Sequence, residues 1–192
     1  DPEERRKLLT FVVGGGGFTG IEMMGELIEW VKTLCRQYQI PRDEVRLVQI
    51  EALPCLCPTL GEKGSEKVIK YLNKKRVDVL TNSIITGVNE DSVLLKDKEP
   101  IPTKTLIWTG GIKAKDFVKE LGVTLGKKDR IVVNEYLQTV EYPYVYAIGD
   151  NMEFKDENGE SLPALVETAM QSGEFAAKNI AADILNQSKK PL

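Results

Sequence analysis

The stretch Leu8–Glu22, which reads LLTFVVGGGGFTGIE, decides the fold of this chain. An apolar run rich in β-forming residues breaks into four glycines, and the pattern Gly15-x-Gly17-x-x-Gly20 then opens a segment with helical periodicity. The sequence therefore predicts a strand, a tight turn and a helix that begins near Phe18.

Each glycine of the pattern has its own expected task. Gly15 makes the bend, Gly17 lets the backbone approach a pyrophosphate, and Gly20 lets the helix pack against the strand. Phosphates would face the unpaired N–H groups and the positive dipole end of the helix. Because strand, turn and helix occur together, the pattern favours a dinucleotide site over a purely structural turn. The residues expected to contact the nucleotide here are Gly15, Gly16, Gly17, Phe18, Thr19 and Gly20.

The following segment continues the alternation of helix and strand. Apolar residues recur at helical spacing from Ile21 to Tyr38, and Val45–Glu51 reads as a second strand that ends in a carboxylate. In a dinucleotide fold, Glu51 would accept hydrogen bonds from the adenosine ribose and repel a 2′-phosphate, which favours NAD over NADP. A solvated glutamate at a strand end is the structural alternative.

The fold class predicted for this part is α/β, a Rossmann-like parallel sheet with an antiparallel hairpin layer. A second helix is expected over Lys63–Arg76, and the hairpin follows it. The last strand ends in Gly110-Gly111, which would let the backbone approach a flat or phosphorylated group, although an ordinary turn explains the pair equally well. The four parallel strands are expected at residues 8–13, 45–50, 77–80 and 105–108.

Composition excludes several classes of function. The 192 residues include no histidine, so chemistry must come from a cofactor or from carboxylates and lysines, and no metal site is expected. The net charge is −3 with both signs interspersed, which argues against a nucleic acid partner. No apolar run approaches the length of a membrane span, and we expect a cytoplasmic chain. Cys35, Cys55 and Cys57 are expected to be reduced thiols.

The second half of the chain has a weaker pattern. Asp129–Val133 and Tyr144–Ile148 read as short strands, and the latter stops on Gly149-Asp150. A carboxylate at a strand end beside a flexible residue suits a polyol, while an aspartate that turns the chain is the structural alternative. A helix is predicted from about Ala164, with its amino end available to an electron-rich atom. Its apolar face is expected to hold Leu165, Val166, Ala169, Ala176, Ile180 and Ile184.

Three motifs together resemble the two-dinucleotide-binding flavoproteins, the FAD-dependent pyridine nucleotide-disulfide oxidoreductase-like family. More narrowly, they resemble its type II NADH dehydrogenase branch. The motifs are the glycine-rich stretch that ends in Gly20-Ile21-Glu22, the run Leu106–Gly111, and the run Val145–Asp150. The resemblance spans about residues 8 to 184, which is nearly the whole chain.

The resemblance implies an NAD(H)-binding domain over residues 1–113 and the returning second segment of an FAD-binding domain over residues 114–192. It places Glu22 near the nicotinamide and Gln171 near the flavin, without assigning a catalytic residue. The contacts that it implies for FAD are Gly149, Asp150, Ala169, Met170 and Gln171. For NADH it adds Glu22, and the dinucleotide fold already suggests Glu51, Gly110 and Gly111.

The function implied for an intact parent protein is hydride transfer from NADH through FAD to a quinone or another electron acceptor. Glu167 stands where relatives often carry glutamine, which leaves the acceptor open. No glycine fingerprint for the ADP half of FAD occurs in the chain, so it resembles an excised piece that we expect to be inactive alone.

Two further features are expected of the parent only, and one alternative function stays open. The resemblance allows a homodimer and peripheral contact with the inner face of the cell membrane. The alternative is a non-catalytic NAD(H)-binding module or redox sensor, although a sensor should carry a DNA-reading helix or a basic face. A flavin-independent dehydrogenase would need a Tyr-Lys or histidine acid–base pair, and neither stands out in the sequence.

Overall fold

The computed structural model describes residues 1–192, which divide into two compact units, Asp1–Gly111 and Ile112–Leu192. The domain boundary predicted after residue 113 lies two residues from this division. Each unit has its own hydrophobic core. None of the helices combines the length and the apolarity needed to cross a membrane.

The first unit is built on a four-stranded parallel sheet and a three-stranded antiparallel sheet. Its elements are α1 (Pro2–Leu8), β1 (Thr10–Gly14), α2 (Phe18–Tyr38), β2 (Arg46–Ile50), α3 (Gly61–Lys74), β3 (Val77–Leu80), β4 (Ile85–Asn89), β5 (Ser92–Leu95), β6 (Lys98–Pro102) and β7 (Thr105–Trp108). The parallel sheet has the order β3-β2-β1-β7, and the antiparallel sheet has the order β4-β5-β6.

Successive residues of the central strands supply two different cores. Val13 and Leu47 pack under α2, whereas Val12 and Val48 pack under the antiparallel sheet, and all four are fully buried. Side chains alternate between the faces of a strand, so a sheet covered on both sides requires apolar residues at consecutive positions. This double coverage explains the unbroken apolar runs in the sequence.

Helix α2 follows the predicted stripe closely. Met24, Ile28 and Val31 are buried against the sheet, and the helix ends where Gln39 adopts a left-handed conformation with a φ of 54°. A left-handed residue is a common helix stop, and Pro41 then prevents continuation.

The predicted α/β fold class and all four parallel strands are confirmed. The antiparallel layer has one strand more than the predicted hairpin, because β6 pairs with β5. Pro100 and Pro102 obscure β6 in the sequence, since proline donates no hydrogen bond to a neighbouring strand. Both are tolerated because β6 lies at the edge of its sheet.

The second unit has little regular structure before its long helix. Its elements are β8 (Ile131–Val132), β9 (Met152–Glu153) and α4 (Val166–Ile184), and β8 pairs with β9 in parallel. Isolated bridges and turns make up much of the remainder. The core collects Val118, Leu137, Met152 and Ala176.

The strand predicted at Tyr144–Ile148 is wrong. The Val145 N–H closes a turn by donating to the Tyr142 carbonyl at 2.8 Å, and the Ala147 N–H donates to the Leu137 carbonyl, ten residues earlier in the loop, at 3.1 Å. The segment forms only an isolated bridge, between Tyr146 and Gln138. The strand predicted at Asp129–Val133 is present but shorter, as β8.

The predicted apolar face of α4 is also wrong in part, and the helix starts two residues later than expected. Its buried residues are Ser172, Ala176 and Asn179. Asn179 is buried because its amide bonds both ways with Lys190, at 3.0 Å in each direction, and so ties down the carboxy-terminal tail. Most of the expected apolar face is exposed, as Leu165, Val166, Ile180 and Ile184 show.

Candidate functional site

The glycine turn after β1 is fixed by backbone contacts. Gly15 has a φ of +115°, a conformation that residues with a Cβ rarely adopt, and its N–H donates to the Ile50 carbonyl at 2.8 Å. A Cβ added at Gly15 would lie 2.7 Å from Thr109 Oγ1, so the turn also lacks room for a side chain.

Gly20 brings α2 into direct contact with this turn. A Cβ added there would overlap the Gly15 carbonyl oxygen. The helix therefore rests on the backbone of the turn, and every residue except glycine is excluded at position 20.

The start of α2 presents its first N–H groups without a competing side chain. Gly17 occupies the cap position and supplies no side-chain hydrogen bond, and the first turn of the helix contains no acidic residue. A Cβ added at Gly17 would meet nothing within 4 Å, and Phe18 and Thr19 are exposed. The first four N–H groups of a helix have no intrahelical partner, so this open position suits an anion.

Glu51 borders the same turn. One carboxylate oxygen accepts a hydrogen bond from the Gly16 N–H at 2.5 Å, and the other accepts from the Leu53 N–H at 2.7 Å. Each oxygen keeps a second lone pair, so the carboxylate still has acceptor capacity for a hydroxyl. Glu51 thus both shapes the turn and offers acceptors at the carboxyl end of β2.

A fully buried amide, which sequence reasoning missed, supports the turn from below. Gln49 Nε2 donates to the Gly15 carbonyl at 2.7 Å, while Gln49 Oε1 has no hydrogen-bond partner. Burying an unpaired amide oxygen costs free energy. The contribution of Gln49 is therefore its hydrogen bond to the Gly15 carbonyl, which holds the turn. In the sequence, the one sign of this role is a glutamine within the otherwise apolar run Leu47–Ile50.

Residues after β7 hold the turn from the other side. Thr109 donates to the Gly14 carbonyl through both its N–H, at 2.8 Å, and its hydroxyl, at 3.0 Å. Gly110 follows directly, and Gly111 has a φ of +74° with open space around it. The carboxyl ends of β1, β2 and β7 therefore bring together Gly15–Gly20, Glu51 and Gly110-Gly111.

A buried thiol lies beside this edge. The Cys57 N–H donates to the Gly16 carbonyl at 2.8 Å, and its side chain is almost fully buried. Burial raises the pKa of the Cys57 thiol, and the neighbouring Cys55, Glu22 and Glu51 raise it further. A raised pKa and burial both disfavour a nucleophilic thiolate, and the contact of Cys57 with the turn is made by its backbone. Glu22 itself is exposed on α2.

The predicted residues of the second unit meet at the start of α4. Gly149, with a φ of +56°, donates its N–H to Ser172 Oγ at 3.0 Å, and a Cβ added there would lie 3.2 Å from the Ala169 Cβ. Asp150 is exposed and lines a small cleft of about 190 Å³. Met170 and Gln171, in the first turns of α4, are exposed as well.

The curated relatives that this chain matches include two with the same description. The chain is 31% identical over 180 residues to a type II NADH:quinone oxidoreductase of Staphylococcus saprophyticus, covering 91% of the chain and 44% of the relative. It is 32% identical over 178 residues to the enzyme of the same description from Staphylococcus aureus, covering 90% of the chain and 44% of the relative. The chain therefore spans less than half the length of these relatives.

Solved structures share the fold. The reduced CoADR-RHD of Bacillus anthracis matches with a TM-score of 0.75 and 25% identity, over 98% of this chain and 32% of that one. NDH2 of Plasmodium falciparum in complex with NADH matches with a TM-score of 0.72 and 24% identity, over 80% of this chain and 34% of that one. A family model described as pyridine nucleotide-disulphide oxidoreductase matches residues 2–173. The chain belongs to the pyridine nucleotide-disulphide oxidoreductase family.

Proposed function

We propose that the chain is the NAD(H)-binding portion, with part of the FAD-binding domain, of a flavoprotein that passes hydride from NADH to an electron acceptor. The observation that carries the proposal is the glycine turn. It combines a left-handed Gly15, a Gly20 with no room for a side chain, and an open Gly17 at the uncapped start of α2. These features suit a pyrophosphate that contacts the backbone directly.

The chain's preference for NADH over NADPH would come from Glu51. Its carboxylate stays beside the turn because Gly16 and Leu53 hold it there, and it retains lone pairs for ribose hydroxyls. A 2′-phosphate in the same place would meet a like charge at short range.

The second unit contains residues that fit one end of FAD. Asp150 is exposed and acidic, as a contact to polyol hydroxyls requires, and the exposed start of α4 presents Ala169, Met170 and Gln171. FAD, when bound, would supply two-electron chemistry by taking up one hydride and releasing the electrons to an acceptor. The chain's own part would be to hold the hydroxyl-bearing end and to offer helix N–H groups to electron-rich atoms.

Within residues 1–192, Gly15-x-Gly17-x-x-Gly20 is assigned to NADH, and no second fingerprint is present for the ADP half of FAD. We therefore propose that this chain alone binds NADH but neither retains FAD nor turns over. Lost backbone contacts to a pyrophosphate, at about 1.5–3 kcal/mol each, correspond to many powers of ten in affinity when summed.

The acceptor proposed for the whole protein is a quinone, because both Staphylococcus relatives are described as NADH:quinone oxidoreductases. Glu167, in the first turn of α4, would place a carboxylate near the electron-transfer path. A negative charge there would raise the energy of a reduced, anionic acceptor nearby.

Calorimetry with NADH and NADPH tests the proposal. We expect NADH to bind more tightly, and we expect Gly17→Val to lose binding while the far-UV circular dichroism spectrum is kept. Gly25→Val is the matched control, because a Cβ at Gly25 also meets nothing within 4 Å but lies two turns further along α2. Normal binding by Gly17→Val would remove the glycine turn from the site.

The same preparation tests the second half of the proposal. FAD is added, and gel filtration then shows whether flavin elutes with the protein. Steady oxidation of NADH with a soluble quinone, or flavin that stays bound, would overturn the expectation for the isolated chain. Tight NADH binding without flavin retention is the expected result.

A further inference from the structure

The indole of Trp108 lies across two glycines at the edge of the parallel sheet. Trp108 is the last residue of β7 and pairs in register with Gly14 of β1. A Cβ added at Gly14 would lie 3.1 Å from indole Cε3, and one added at Gly110 would lie 2.6 Å from indole Cζ2. The ring therefore spans both glycines, and any side chain at either position would displace it.

This ring is exposed, although the backbone next to it is held in place. The Trp108 side chain is 58% accessible, while Thr109, the next residue, is bonded to the Gly14 carbonyl through two donors. Exposure alone does not distinguish it from Trp30, which is 60% accessible on α2. The difference is that Trp108 lies beside the glycine turn, with small residues beneath it and a large part of its surface open.

The strand order gives the direction in which a bound dinucleotide would run. Glu51 follows β2, the pyrophosphate position follows β1, and β7 is the next strand in the order β3-β2-β1-β7. An adenosine ribose at Glu51 and a pyrophosphate at Gly17 leave the other half of the dinucleotide to extend over the end of β7. Trp108 lies at that end.

We propose that Trp108 forms the contact surface for the nicotinamide ring of NAD(H), an inference that rests on the proposed function. Indole offers a broad apolar face, and aromatic rings pair with it in offset or edge-on arrangements. The pyridinium of NAD⁺ carries a positive charge, which the π face of tryptophan attracts. Trp108 thus favours the oxidised nucleotide more than the reduced one.

The two tryptophans allow a direct test in the 192-residue chain. Trp30→Phe leaves Trp108 as the only tryptophan, and Trp108→Phe leaves only Trp30. Trp30 lies about 18 Å along α2 from Phe18, far from the glycine turn. Acrylamide quenching of tryptophan fluorescence is measured with NAD⁺ or with ADP-ribose, which lacks the nicotinamide. Circular dichroism checks that both variants are folded.

We expect NAD⁺ to reduce quenching at least twofold in Trp30→Phe, and ADP-ribose to leave it unchanged. Neither ligand should change quenching in Trp108→Phe. Trp108→Ala should weaken NAD⁺ binding about threefold to tenfold, weaken NADH binding less, and leave ADP-ribose binding unaltered.

Three results would overturn the inference. Unchanged quenching in Trp30→Phe at saturating NAD⁺ removes Trp108 from the site while the proposed function stands. Equal protection by ADP-ribose moves the contact from the nicotinamide to the ribose and phosphates. Failure of both ligands to bind in calorimetry overturns the proposed function and this inference together.

Discussion

Helices α2 and α4 have similar lengths, 21 and 19 residues, but the large apolar side chains are mostly buried on α2 and mostly exposed on α4. Met24, Ile28 and Val31 of α2 are covered by the parallel sheet of the first unit. Ile180 and Ile184 of α4 are exposed, and the buried positions go to smaller or polar residues. Helical spacing predicts that an apolar face exists, but the element that covers it comes from the rest of the fold.

The difference follows from what each unit offers as a packing surface. Four hydrogen-bonded strands give α2 a broad apolar sheet to cover. The second unit has one pair of two-residue strands, so α4 has only a narrow contact, centred on Ala176. An exposed apolar stripe that includes Ile180 and Ile184 therefore remains on α4.

The largest effect on stability is expected from a substitution in the first unit, which has the more regular secondary structure. Gly20→Ala would drive a methyl group into the Gly15 carbonyl, so we expect about 3 kcal/mol or more of destabilisation and loss of NADH binding. Gly25→Ala, on the same helix in open space, should stabilise by about 0.5–1 kcal/mol. Urea unfolding of both variants measures the difference, and equal midpoints would contradict the close approach at Gly20.

A matched pair of truncations compares the two helices directly. Ile28→Ala in α2 should cost about 2–5 kcal/mol, because the side chain is buried. Ile184→Ala in α4 should change stability by less than about 0.5 kcal/mol, because the side chain is 75% accessible.

Both tryptophans lie in the first unit, so fluorescence follows that unit while circular dichroism follows both. The Ile28→Ala variant should therefore shift the fluorescence midpoint, and Ile184→Ala should leave it unchanged. A large loss of stability in Ile184→Ala would show that the stripe on α4 is covered in solution.

A third comparison concerns the buried amides of the two units. Gln49→Leu should weaken NADH binding about threefold to tenfold through loss of the bond to Gly15, while stability is unchanged or higher because an unpaired oxygen is removed. Asn179→Leu should cost about 1 kcal/mol of stability and leave binding intact, because its bonds hold Lys190. Calorimetry and urea unfolding on both variants separate the two roles. The assignment fails if Asn179→Leu weakens NADH binding as much as Gln49→Leu does.

The smallest effect is expected from pH. Burial, together with a hydrogen bond to Asp183, raises the pKa of Tyr146 from 10.0 to about 12. Because the pKa in the folded state is the higher one, this contribution to stability is complete below about pH 10 and is lost as the pH approaches 12. Tyr146→Phe should flatten the alkaline dependence, as measured by circular dichroism, whereas Tyr144→Phe changes an exposed ring and serves as the control. An identical alkaline transition in both variants would contradict the role of Tyr146.

Sequence patterns were sufficient for the first unit because its elements are long and regular. The apolar runs, the glycine turn and the stripe on α2 arise from local periodicity, which the folded chain preserves. Tyr144–Ile148 has the same β-forming composition, but its N–H groups bond to a nearby turn and to Leu137, and it forms one isolated bridge with Gln138. Strand composition cannot predict whether a neighbouring strand is available.

The sequence predicts the glycine turn, but it does not reveal the residues that support the turn. Gly15, Gly17 and Gly20 follow a spacing that has a known physical reason. The supports from Gln49, Cys57 and Thr109 come from segments up to 95 residues away in sequence, so no short motif contains them. Gln49 alone gave a local signal, as a polar residue within an apolar strand.

The pairing of β1 with β7 has a consequence for how the first unit folds. It joins Phe11 to Thr105, and the Thr103 hydroxyl closes the junction with a 2.6 Å bond to the Thr10 carbonyl. Contacts so distant in sequence form slowly, because the loop between them must close first. During synthesis, β7 emerges after every other strand of this unit. The contacts that Trp108 and Thr109 make with the glycine turn are therefore formed last. Until then, a ribosome-bound chain would display the turn and the start of α2 without the edge that completes them.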